Sequence, residues 1–172
     1  MTSQYSMPGQ RLAGALYVGA VAIIINMLLL RAADLFSVQT AKGGLLRLIA
    51  PLAGPVLDRI GVATAWRTLG GPGVGSAVFQ NGFHFVVGLG MALMYTMILE
   101  PRLPGSFWRK GLLYALLVWL LNAFVILPCS GEGVAGSAHL RPTGMVWFAV
   151  AHTAFFVLLA GGYQRYLAAR RR

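Results

Sequence analysis

Two histidines, His84 and His152, lie within apolar runs that carry no formal charge at neutral pH. Imidazole in such surroundings can ligate haem iron, relay a proton, or bond a neighbouring helix. Each is followed eleven residues later by a tyrosine, Tyr95 and Tyr163. Two asparagines, Asn26 and Asn122, are the other strongly polar side chains within long apolar runs. A buried asparagine bonds across helices or contacts a solute. Together these six residues offer hydrogen bonds and proton sites, but no acid or fixed cation.

A second group lies outside the apolar runs, in CSGEGVAGSAHLRPTG. It places Glu132, His139 and Arg141 within ten residues of one another. Cys129 or Ser130 beside His139 would suit nucleophilic chemistry only with hydrogen-bond contact, which closeness in sequence does not supply. A solvated connector is the plainer reading. Cys129 is the single cysteine, so neither an intrachain disulfide nor a cysteine-based metal centre can form. The three histidines lack the i, i+4 spacing of a helical zinc pair, and no metal site is expected.

The elements that position these residues follow from hydropathy. With 58% hydrophobic and 10% charged residues, the chain has too few polar side chains to cover a water-facing surface. Apolar runs at about 12–30, 80–99, 111–127 and 145–163 are each near the roughly 20 residues that cross a bilayer. The expected fold is an all-α membrane protein, a four-transmembrane-helix bundle forming one integral domain over 1–172. Within the second helix His84, Gly88, Ala92 and Tyr95 fall on one stripe, which predicts an inward face. Tyr114, Val118 and Asn122 do the same in the third. The shared His/Tyr spacing, with GALY at 14–17 and GLLY at 111–114, raises two repeated helix hairpins as an alternative.

The first connection is long. Within it, about 43–61, Leu45, Leu48, Leu52, Val56 and Ile60 recur at helical spacing, with Arg47, Asp58 and Arg59 elsewhere around the turn. This predicts an amphipathic segment lying in the membrane interface, broken into two pieces by Pro51 and Pro55.

The net charge of +10 gathers at helix ends and in loops. That pattern suits contact with anionic lipid, and nucleic acid is not expected as a partner. Four crossings put Arg11, Arg102, Arg109, Lys110, Arg165, Arg170, Arg171 and Arg172 on one side. Arg31, Lys42, Arg47, Arg59, Arg67 and Arg141 fall on the other, mostly in the long loop, where charge counts for less. Both termini are therefore expected to be cytoplasmic.

The stretch from His84 to Tyr163, through HFVVGLGMALMY, LPG, KGLLYALLVWLLN and LPCSGEGVAG, resembles a group of small, uncharacterised bacterial four-helix inner-membrane proteins. The resemblance implies a bacterial cytoplasmic-membrane location and a four-helix fold, and it assigns no functional residues.

The leading expectation is a non-catalytic accessory subunit or assembly factor of a larger membrane complex, with other membrane subunits as partners and no cofactor. One alternative is a small-solute or proton transporter using His84, Tyr95, Asn122 and His152. The other is a b-haem or quinone-associated redox subunit, with His84 and His152 as axial ligands and Gly88 and Gly90 clearing the porphyrin.

Overall fold

The computed structural model describes residues 8–40 and 44–170; Lys42, Arg171, Arg172 and the first residue of the expected 43–61 segment lie outside them. Among the described residues all regular structure is helical. The chain runs through α1 (Pro8–Leu35), α2 (Gly44–Arg59), α3 (Val62–Thr68) and α4 (Ala77–Met94), the last prolonged by a π turn, Tyr95–Leu99. It continues through α5 (Phe107–Leu121), a π turn (Asn122–Ile126), α6 (Leu127–Cys129), a 3-10 turn (Val134–Gly136) and α7 (Pro142–Ala169). Four stretches, Gly9–Leu35, Ala77–Leu99, Phe107–Cys129 and Pro142–Ala169, are long and apolar enough to cross a membrane.

Each of the four is longer than its apolar run, because hydropathy marks where polar side chains begin and not where helical hydrogen bonding ends. Ser76 starts α4 by accepting from the Phe79 N–H at 3.2 Å. Pro142, whose missing N–H costs nothing in a first turn, starts α7.

The sequence also predicts a break at Pro51 and Pro55, and this is corrected: α2 is one helix through both prolines. Their spacing of four residues puts both missing N–H groups on one side of the helix. The break falls at Gly61, whose φ of 78° suits a residue without Cβ, and α3 follows it.

The four long helices run alternately up and down. One end of the bundle holds the start of α1, the end of α7 and the α4–α5 turn; the other holds α2, α3 and the 130–141 loop. α1 packs against both α4 and α7, and α5 packs against α7. Small residues allow these close approaches. Gly88 receives the Ile23 side chain, and Gly19 receives Ala92. A Cβ on Gly111 would lie 2.9 Å from Val157 Cα.

The fourth seam is different. α4 and α5 meet through side chains, with Tyr114 Oη donating to Met91 O at 3.1 Å and the Tyr95 and Tyr114 rings stacked at 5.9 Å. The expected inward stripes are present: Gly88, Ala92 and Tyr95 of α4 and its π turn are buried, as are Tyr114 and Val118 of α5. The outer face of α5 and of the π turn after it is apolar and exposed at Leu112, Leu113, Leu116, Leu117, Leu120 and Phe124.

The loop after α6 fastens α2 to the bundle. Gly131 and Gly133 take positive φ on either side of Glu132, and that turn aims its carboxylate inward. Glu132 is buried and bonds Arg47 of α2 through one oxygen and His139 Nδ1, at 2.9 Å, through the other. Arg47 is largely exposed, so screening keeps the pair modest. Glu132→Gln is expected to loosen α2 by about 1 kcal/mol, the usual worth of one such bond. Hydrogen exchange over 44–59 should then quicken several-fold, and unchanged exchange would show that Glu132 does not hold the helix.

Candidate functional site

Where α4 and α5 splay, an amphipathic cavity of about 610 Å³ opens between α1, α2, α4, α5 and α7. Its walls are apolar, among them Ile23, Met27, Val87, Met91, Val118, Phe155 and Phe156. Arg31, Asp34, Thr40, Gln80 and Asn81 stand toward the end that carries α2. Toward the other end, below Met91, Val118 and Phe156, the bundle is filled by Tyr95, Tyr114 and Tyr163, all but completely buried. The cavity is therefore one-sided.

Part-way down it, with Ile23, Met91, Val118 and Phe156 still deeper, a polar floor is built by residues of α1, α4, α7 and the π turn after α5. Asn26 of α1 donates from Nδ2 to Ala151 O of α7 at 2.9 Å. Its Oδ1 lies 2.9 Å from His84 Nε2 of α4. An amide oxygen only accepts, so His84 carries a proton on Nε2, and in the neutral ring its Nδ1 is then a bare lone pair. His152 of α7 has Nδ1 2.8 Å from Phe148 O, so that nitrogen is the donor and Nε2 is bare. Asn122, the first residue of the π turn after α5, donates from Nδ2 to Val118 O at 2.9 Å, leaving Oδ1 as an acceptor.

The two imidazole rings lie 6.2 Å apart, nearly perpendicular, across the centre of the bundle. His84, His152, Asn26 and Asn122 all line the cavity. Both imidazole N–H groups and one N–H of each amide are spent inside the protein. What remains for an occupant is two bare imidazole nitrogens, the Asn122 oxygen and the second N–H of each amide.

The structure thus brings together four of the six polar residues singled out from the apolar runs. Tyr95 and Tyr163 form a separate layer, with rings 6.4 Å apart, and neither lines the cavity. The hydroxyls of Tyr95, Tyr163 and Tyr166 have no hydrogen-bond partner among the described residues.

The loop group divides as well. Glu132 and His139 pair with each other and line a shallow groove beside the cavity, with Asp34 and Arg47. Arg141 caps α7, exposed, and takes no part in the cluster. Ser130 Oγ donates to Leu127 O while His139 bonds Glu132, so no nucleophile–base contact forms there.

The clearance expected at Gly88 and Gly90 is found at neither residue. Gly88 is filled by Ile23, and Gly90 faces open space on the outside of α4. The open space beside the two histidines is the cavity itself; Phe148 packs on His152 with rings 4.0 Å apart, and Asn26 holds His84.

Sequence reading missed the aromatic wall and the contribution of α2, whose Leu45 and Leu46 line the cavity. It also missed Lys110, read as a charged flank. That side chain is buried, and its Nζ donates to Glu100 O at 3.0 Å and Oε1 at 3.2 Å, tying α5 to the end of α4. The adjacency of Glu100 and Lys110 across the LPG turn was the signal available for that pair.

No family model, curated protein or solved structure matches this chain.

Proposed function

We propose that this chain is a multi-pass protein of a bacterial cytoplasmic membrane that works by holding a small amphipathic molecule, not by covalent chemistry. The observation that carries this reading is the one-sided cavity with a layer of polar groups part-way down and apolar walls above and below them. Pockets of this size and lining suit small-molecule ligands. A purely structural helix bundle has no need of such a space, and filling it with side chains would be more stable.

The membrane placement rests on the four long apolar helices and on the exposed apolar belt of α5. Leu52, Val56 and Ile60 of the α2 segment are exposed along one side, which suits a helix lying in the interface. The excess of Lys and Arg at the end holding the α4–α5 turn puts both termini in the cytoplasm and favours anionic lipid there. The cavity then opens toward the opposite side. Two diverged helix hairpins would account for the facing pairs His84/His152 and Tyr95/Tyr163, with the α1–α7 seam closed and the α4–α5 seam open.

The accessory-subunit role is a second reading, favoured by the continuous exposed row of leucines on α5, which a neighbouring subunit could cover. The two readings combine if the chain presents its ligand to a partner. Transport would need the tyrosine layer to open, and the redox role would need haem or a quinone in the cavity.

Extraction of the detergent-purified chain and mass spectrometry test the proposal. A stoichiometric small molecule is expected from the wild type and not from Val118→Trp, which fills the cavity from its α5 wall. Identical extracts from the two would overturn it. Haem b in the wild-type extract, lost in both His84→Ala and His152→Ala, would replace this reading with the redox one.

A further inference from the structure

We infer that the cavity binds a primary ammonium head carried on an apolar body; this rests on the cavity-binding reading above and names its ligand class. His84 Nδ1, His152 Nε2 and Asn122 Oδ1 are acceptors left without partners among the described residues, while both imidazole N–H groups are engaged. A carboxylate or a quinone brings only acceptors; it could use the spare amide N–H of Asn26 or Asn122 but would leave both imidazole nitrogens unpaired. An ammonium group brings three donors, one for each of the three acceptors.

The spacing suits it. Rings 6.2 Å apart can share one head group, since each hydrogen bond spans about 3 Å. The Phe148, Phe155 and Phe156 rings line the same cavity, and aromatic faces attract a cation. A metal ion is a poorer match, because among the described residues no cluster of three or more His, Cys, Asp or Glu side chains forms. At the mouth Asp34 offers attraction and Arg31 opposes it, so the selectivity is placed at the floor. The volume of about 610 Å³ exceeds what a bare ammonium ion needs, and the apolar walls call for a hydrocarbon or aromatic body.

The test is a ligand series on the intact purified chain, read as the concentration dependence of its unfolding midpoint. The probes are 2-phenylethylammonium, its N,N,N-trimethyl counterpart and 3-phenylpropionate. The primary amine is expected to bind at least about tenfold more tightly than the quaternary one, which keeps the charge but has a bulkier head and no N–H. The carboxylate should produce no shift. His152→Phe and Asn122→Leu should each weaken the primary amine by about tenfold and leave the quaternary one unchanged.

Equal binding of primary and quaternary amines would overturn the inference, as would preference for the carboxylate. The wild-type comparison stands even if a variant fails to fold. If no probe binds while the wild type still co-purifies with a compound absent from Val118→Trp, the ligand class is wrong and the cavity reading survives. If no probe binds and both extracts are alike, both fail.

Discussion

Replacing Lys110 with alanine is expected to destabilise the chain by about 3 kcal/mol, the scale for breaking a buried pair from one side. The Lys110 and Glu100 side chains retain only 9% and 16% of their exposure, so the orphaned carboxylate would find little water. The same substitution frees the Glu100 carbonyl just where the π turn Tyr95–Leu99 ends and the chain reverses into α5. The double change Lys110→Met with Glu100→Gln should recover most of the loss, because a neutral apolar pair has no ion to desolvate. Thermal unfolding in detergent measures both. A loss under about 0.5 kcal/mol for Lys110→Ala would place the pair with ordinary surface ion pairs.

Asn26→Leu is the second large effect, expected at about 2 kcal/mol, because it removes two hydrogen bonds from a fully buried side chain. Asn26 is 1% exposed and joins α1 to α4 and α7 at one level. Its loss also releases the His84 proton from Nε2, so the ring can move its proton to Nδ1 and turn an acceptor of the floor into a donor. Stability and ligand retention should therefore fall together. Asn26→Leu retaining wild-type stability and the wild-type extract would show that the bridge orders neither the helices nor the floor.

Much of this architecture was legible in the sequence because membrane-scale hydropathy and helical period are strong, local signals. The inward stripe from His84 to Tyr95 and the face shared by Tyr114, Val118 and Asn122 both follow from 100° per residue. Partner choice was not legible, since it depends on how helices distant in the chain are arranged. Nothing local to Asn26 says that its amide reaches Ala151, some 125 residues away. The partner at Gly88 was hidden for the same reason: a small residue shows that something comes close, and here the something is Ile23 of α1. Pro51 and Pro55 were read as breaking or kinking the segment into two pieces, whereas α2 runs through both. Lys110 was assigned to solvent by the statistics of helix flanks. Its burial depends on a turn tight enough to bring Glu100 back beside it.

The measurement that bears most directly on the central claim is the protonation pattern of the two floor histidines, by long-range proton–nitrogen correlation NMR at neutral pH. The account predicts two neutral rings of opposite tautomer, with His84 protonated on Nε2 and His152 on Nδ1. On adding 2-phenylethylammonium, the unprotonated nitrogens should be the ones whose shifts move. A doubly protonated ring, or a proton on His84 Nδ1 or His152 Nε2, would contradict it, because the floor would then present donors to whatever the cavity holds.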